Sequence, residues 1–332
     1  MLIYCGNVLF PIVQNQLLKG EMLMKGIIKR LPVPAVALLL ALAATGNLVL
    51  SYGNMYRNIF GIFAAIILVL ILAKIIIYPK KIAEDLNNPV IASVFPTLSM
   101  GIMLMATYIK PLTPSLAFGI WVIGLVLHIV LILYFTIKYV FNFNIKKVFP
   151  SWYIVYVGIV VGSVTAPAFE MTNVGKILFW FGFISYLVLL PIILYRVLKV
   201  REIPEPALPT IVILAAPASL CLAGYMNSFQ DKNMFIVWLL LALSQFTLLC
   251  VLLQLPKLLK LPFYPSYSAF TFPLVISALS LKLTNAFLLN TGKEIAMLKY
   301  IVKFEELLAV IMVLYVLLKY IVFLFSKTES AK

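Results

Sequence analysis

His128 is the only histidine in this chain of 332 residues, and Cys5, Cys221 and Cys250 are far apart, each in an apolar stretch. That pattern offers neither metal-ligand spacing nor a disulfide framework, and no cofactor is implied. An enzyme needs a nucleophile beside a base, or clustered metal ligands. One histidine and no carboxylate pair deep in an apolar run supply neither, so the chain reads as a non-enzyme. No Walker-type loop is present, which disfavours a nucleotide-driven pump. His128 is expected in a subunit contact or a partnered structural role rather than a proton relay. Glu305 and Glu306 lie near Lys303, where an ion pair at the outer interface is the simplest expectation, and Glu170 should face outer water. Lys282 is expected to snorkel to the interface. The apolar runs also hold a set of hydroxyls, Thr45, Ser93, Thr97, Ser163, Ser219 and Ser277. Together with helix-end dipoles, they can replace part of an ion's hydration without holding it tightly. This is the chemistry of ion passage, and it needs a path to line.

The elements that would build such a path follow from composition. Hydrophobic residues make up 64% of the chain and charged residues 11%, with a mean hydropathy of +1.10. A soluble domain carries about 25% charged residues, so the lipid bilayer must be the solvent for most of this surface. Lipid-crossing backbone must satisfy its own hydrogen bonds, which makes the fold all-α. Ten apolar runs are long enough to span: 32–52, 58–78, 90–109, 114–140, 151–169, 174–198, 207–227, 233–255, 264–288 and 296–325. The chain thus divides into an N-terminal segment 1–30, a ten-helix domain 31–325 and a tail 326–332.

The formal net charge of +15 would point to nucleic acid in a soluble protein. Here the basic residues fall in short loops, and topology explains them without a nucleic-acid partner. One side of the ten runs holds 18 of the 26 Lys and Arg residues and the other side 8. The positive-inside rule then places both termini in the cytoplasm of a multi-pass protein of the cell membrane, as an even number of crossings requires. Residues 1–21 are apolar but interrupted by Pro11, Gln14, Asn15 and Gln16. They lack the basic region and the cleavage site of a signal peptide, and an interfacial helix is a second reading. The preferred one is a misassigned start. Lys19-Gly20-Glu21 is what a ribosome-binding site would encode if translated, and Met24-Lys25-Gly26 would then open a short basic tail.

Prolines recur in the odd-numbered runs: Pro34, Pro96, Pro167 near the far end of the fifth, Pro217 and Pro273, whereas Pro191 is the only deep proline in an even run. Small and polar residues gather in the odd runs too, among them Ser99 and Gly101 in the third and Gly158, Gly162 and Thr165 in the fifth. The period suggests five helical hairpins. A proline kink is tolerated in a membrane where the freed carbonyl faces protein or a water-filled cavity. Two accounts stay open on spacing alone: an inner ring of kinked helices around an axis, or the general abundance of proline and glycine in membrane helices.

The odd runs carry a resemblance. Leu31-Pro-Val-Pro34 opens the first, and Asn88-Pro-Val90 with Phe95-Pro-Thr97 marks the third. Pro150-Ser-Trp-Tyr153 followed by Val157-Gly158 opens the fifth, Leu208-Pro209 with Ala216-Pro-Ala218 marks the seventh, and Tyr267-Ser-Ala-Phe-Thr-Phe-Pro273 the ninth. Over residues 31–325 the chain resembles the tellurite-resistance/dicarboxylate transporter (TDT) family, that of TehA and the plant slow anion channels. The resemblance implies odd helices lining a central pore in each protomer, even helices outside, and a homotrimer. It also implies a pore plugged midway by a phenylalanine of the ninth helix, which falls on Phe272; Phe270 lies on another face. The expected lining and kink residues are Pro34, Pro96, Pro217, Pro273, Thr45, Ser93, Thr97, Gly158, Ser163, Ser219 and Ser277. The chain departs from the family at Ile154, Val155 and Tyr156, where a proline is often found, so the kink there is expected to weaken or shift toward Pro167.

The expected function is passive passage of small anions through a pore gated by Phe272. The competing reading is an ion- or proton-coupled carrier for C4-dicarboxylate, sulfite or tellurite-related oxyanions. Such a carrier generally needs a buried group that changes protonation, and none is found in the odd runs.

Overall fold

The computed structural model describes residues 20–21 and 24–326, all helical or loop with no strand among them. Most of the N-terminal stretch on which the start-site reading rests lies outside the described residues.

Eight helices are long and apolar enough to cross a membrane: α2 (Asn54–Ile77), α3 (Pro89–Ile109), α4 (Pro114–Val140), α6 (Thr172–Val200), α7 (Glu205–Ser228), α8 (Met234–Leu258), α9 (Pro265–Asn290) and α10 (Leu298–Phe325). The protein is a multi-pass membrane protein. A ninth crossing exists if the helix Met24–Arg30 and α1 (Ala35–Leu48), which meet at 98°, count as one bent span. The expected run 151–169 is a broken helix, α5, made of Trp152–Tyr156 and Val160–Phe169. Ten crossings are therefore not reached by length and composition.

The odd and even helices differ in where their side chains go. In α3 and α7, 83% of the apolar stretch is buried, and in α9 61%, against 22–39% in α2, α4, α6, α8 and α10. Every residue of α1 but Asn47 is buried, the mark of a helix enclosed on all sides. In α2, by contrast, the buried residues are Gly61, Ala64, Ile67, Ile71 and Lys74, a single stripe at helical spacing. Its other face exposes Ile62, Ile66 and Val69, which suits lipid. The contacts close a ring: α1 packs on α3, α3 on α5, α5 on α7, α7 on α9 and α9 back on α1. Each even helix packs on the odd helix that precedes it.

The breaks have identifiable causes. At the bend before α1, the Lys74 ammonium is buried and donates to the carbonyls of Lys29 and Leu31, capping backbone that the bend frees. By charge placement alone Lys74 counts as a loop residue. In α5 the break falls at Val157–Ile159 with no proline, rather than being displaced to Pro167. Gly158 sits there because a Cβ would come within 2.7 Å of Met100 Sδ and 3.1 Å of the His128 ring. His128 is buried and uses both ring nitrogens: Nε2 lies 3.1 Å from the Val155 carbonyl, and Nδ1 2.8 Å from Ser99 Oγ. A carbonyl only accepts, so in the neutral ring Nε2 carries the proton; Nδ1 faces the Ser99 hydroxyl, whose single proton it shares with the Pro96 carbonyl 2.7 Å from Oγ. The histidine thereby ties α4 to α3 and to the break in α5. His128→Ala is expected to cost about 1–3 kcal/mol by orphaning these partners, read as a lower melting temperature in detergent; an unchanged value would show that the bonds contribute nothing.

The ends of the described chain meet. Arg30 donates to the Phe323 carbonyl (3.2 Å) and to Ser326 Oγ (3.4 Å), so the approach to α1 and the end of α10 lie on one side.

Candidate functional site

The ring of odd helices encloses two cavities. The first, about 40 Å³, is lined from the N-terminal halves of those helices by residues that include Pro34, Thr97, Tyr153, Gly158, Pro217, Ser268 and Pro273. The second, about 450 Å³, is lined from their C-terminal halves, with Ala44, Asn47, Thr107, Thr165, Asn227 and Leu283 among its walls and Arg57 contributed by α2. Helices that give one end to each cavity run in the same direction, as they must if each even helix returns the chain.

Among the described residues, only Phe272 and Leu220 line both cavities. Phe272 is the first residue of the α-helical part of α9, one residue beyond a 3-10 turn at Pro265–Phe270 and directly before Pro273. Proline at the second position of the helix needs no backbone donor, so the turn can end here at no hydrogen-bond cost. The change in winding carries Phe270 away: its ring packs on Tyr267 at 4.7 Å, and it lines neither cavity. Leu220 lies on α7, the helix packed beside α9 in the ring.

The expected lining residues divide. Pro34, Thr97, Gly158, Pro217, Phe272 and Pro273 lie on a cavity wall. Pro96, Thr45, Ser93, Ser163, Ser219 and Ser277 do not. Their hydroxyls are committed within the protein instead. Thr45 donates to Ala41 O (2.7 Å), and Ser93 shares a hydrogen bond with Ser151 (2.6 Å). Ser163 donates to Ser228 (3.1 Å), Ser219 pairs with Ser244 (3.0 Å), and Ser277 donates to Glu305 (2.8 Å). Even Thr97 and Ser268, on the wall, spend their protons on backbone carbonyls of their own turns. The smaller cavity is therefore weakly polar and holds only a few waters, since one water needs roughly 10–15 Å³ of such space.

Sequence reasoning missed Leu220, Asn47, Asn227 and Arg57. Leu220 carried a faint signal, three residues after Pro217 and thus on the same helix face. Two acidic residues also differ from expectation. Glu306 pairs with Lys282 at 2.5 Å, not with Lys303, and accepts from the Tyr52 hydroxyl at 2.9 Å. Lys282 further donates to Leu48 O and Ser51 Oγ, so it is engaged rather than snorkelling free. Glu305 is buried; its Oε2 accepts from Ser277 and its Oε1 has no partner.

The model of the voltage-dependent anion channel (SLAC1) family matches residues 31–326, almost the whole described chain. The chain belongs to this family. It is the family that the motifs of the odd helices resemble, and its members are channels or transporters rather than enzymes. Among curated relatives, the chain is similar to two uncharacterized transporters of Methanocaldococcus jannaschii. One is 27% identical over 68% of this chain and 72% of the relative. The other is 25% identical over 67% of this chain and 71% of the relative. Membership in the SLAC1 family supports anion transport as the activity of this membrane protein.

Proposed function

We propose that the chain is a passive channel for small anions, with one path per protomer along the axis of the odd helices and Phe272 as its gate. The observation that carries this reading is the position of Phe272, with Leu220, between two cavities that open toward opposite ends of the same helix ring. An aromatic ring in a narrow apolar passage blocks ions both sterically and by dewetting. On this reading α1 and α5 are also crossings, which makes ten spans in five hairpins. The meeting of Arg30 with Phe323 and Ser326 fits that even number. The 18-to-8 split of basic residues supports cytoplasmic termini for such a protein of the plasma membrane. A homotrimer is the assembly the family resemblance implies, with exposed apolar faces on the even helices available to lipid and neighbours.

The second reading, a proton-coupled carrier for dicarboxylate, sulfite or tellurite-related oxyanions, is favoured by one observation. Glu305 is a buried carboxyl on α10, bonded to Ser277 of α9 and therefore in touch with the helix that carries Phe272. Intramembrane acids are candidates for proton binding.

Recordings from purified protein in planar bilayers separate the two. Under a salt gradient at equal pH, currents should reverse near the anion equilibrium potential. With a pH gradient added, the reversal potential should stay put. A reversal near the cation potential would overturn the anion path, and a shift with the proton gradient would transfer the assignment to the carrier.

A further inference from the structure

Arg57 is the one charged residue among those lining either cavity. It sits in the first turn of α2, and its guanidinium is held by the two inner helices on either side. Nε donates to Asn47 Oδ1 of α1 at 3.0 Å, Nη2 donates to the Thr107 carbonyl of α3 at 3.1 Å, and the group lies 4.0 Å from the centre of the Tyr108 ring. Tyr108 is itself fixed. Its hydroxyl donates to Ala43 O at 2.6 Å, and its ring occupies space that only glycine leaves free. A Cβ at Gly46 would fall 2.2 Å from the Tyr108 oxygen, and one at Gly61 2.6 Å from the ring. The cation is thus positioned by packing rather than left at the end of a wandering side chain.

The remaining donors of this group are unspent. Among the described residues, Arg57 Nη1 makes no hydrogen bond and no carboxylate lies within 4.0 Å of the guanidinium. Asn47 Oδ1 must face Arg57 as acceptor, which leaves its Nδ2 a donor, and Nδ2 likewise makes no hydrogen bond to the protein. Two other cations at this end are occupied. Lys282 is neutralised by Glu306, and Lys110 donates to the Ala168 carbonyl and lies 5.9 Å from the Phe169 ring. A fixed guanidinium with a free N–H edge, beside a free amide N–H pair, on the wall of a cavity of about 450 Å³ is a donor-only surface.

We propose that Arg57 and Asn47 form a binding site for small inorganic anions, halide or compact oxyanion, in the larger cavity ahead of Phe272. The binding itself is independent of the anion-path reading. Only the role of the site rests on that reading, in which it gathers anions before they meet the gate.

Nitrate is the probe. The melting temperature of the purified protein is measured in detergent as sodium nitrate replaces sodium gluconate at constant ionic strength. Wild type should show a saturable rise. Arg57→Gln should raise the half-saturating nitrate concentration by about tenfold or more, the loss expected for a charge-assisted contact. Arg57→Lys should recover part of the affinity, because it restores the charge but not the fork. A purely structural arginine would lower the melting temperature of the Gln variant without nitrate yet leave the nitrate increment intact, and that result overturns the site. So does a wild type with no saturable response. Saturable binding lost in Arg57→Gln, combined with no anion current from any variant, would uphold the site and remove the channel reading instead.

Discussion

Replacing Phe272 by alanine raises the anion conductance by roughly tenfold or more in a planar bilayer. A tenfold change needs the barrier to fall by only about 1.4 kcal/mol, and in the proposed path the ring stands where the two cavities share their lining, Phe272 and Leu220. Its removal joins a space of about 40 Å³ to one of about 450 Å³ through an opening wide enough to stay wetted. Leu220→Ala should act in the same direction with a smaller effect, because it leaves the aromatic ring in place. Phe272→Leu should keep most of the block. Ordinary packing makes the opposite forecast. A phenylalanine that merely fills a core costs about 3–5 kcal/mol when cut to alanine, and its loss opens no path. Unchanged conductance together with a large fall in melting temperature would therefore sink the gate.

Glu306→Gln lowers stability by about 1–3 kcal/mol, by leaving the Lys282 ammonium without its carboxylate. The pair joins α9 to α10 at 2.5 Å, with side-chain exposures of 27% for the lysine and 7% for the glutamate. Tyr52, just before α2, donates to the other oxygen of the same carboxylate. Removing one member of such a pair strands the other charge, whereas removing both can be nearly neutral. Lys282→Met alone should also destabilise, and the double variant Lys282→Met/Glu306→Gln should recover much of the loss. A thermodynamic cycle built from melting in detergent measures that coupling. If the two single losses simply add, the pair contributes nothing beyond its separate contacts.

Much of the helical plan is legible in the sequence because bilayer and helix impose simple rules. A run of about 20 apolar residues with few charges is readable without knowing its neighbours, and the boundaries at Pro89, Pro114 and Pro265 coincide with residues that start helices well. Phe272 could be singled out only through the resemblance of Tyr267-Ser-Ala-Phe-Thr-Phe-Pro273 to the family's ninth helix, since a phenylalanine in an apolar run otherwise reads as packing. The break in α5 escapes such rules for the converse reason. Gly158 is its only local mark; the contacts that accompany it, the approach of Met100 to Gly158 and the hydrogen bond from His128 to Val155, come from other helices.

The hydroxyls show the same limit. Residues such as Thr45, Ser163 and Ser277 look alike in sequence, being polar groups in apolar helices. Whether one faces a cavity or a partner depends on the rotation of its helix against the next, which side-chain volumes set jointly across the ring. Likewise Glu305 and Glu306 are adjacent in the chain, yet one reaches Lys282 and the other is buried against Ser277.

Composition, hydropathy and proline spacing by themselves determined that this is an all-helical membrane protein, that its odd segments differ from its even ones, and which family motifs it carries. Each of these depends on a residue and its near neighbours along the chain, where backbone hydrogen bonding and lipid exclusion act locally. Only the tertiary structure decided that Phe272 and Leu220 line both cavities, that Arg57 keeps a free edge while Lys282 does not, and that His128 meets Ser99 and Val155. These facts depend on which side chains meet across helices distant in sequence, and close packing selects those meetings collectively.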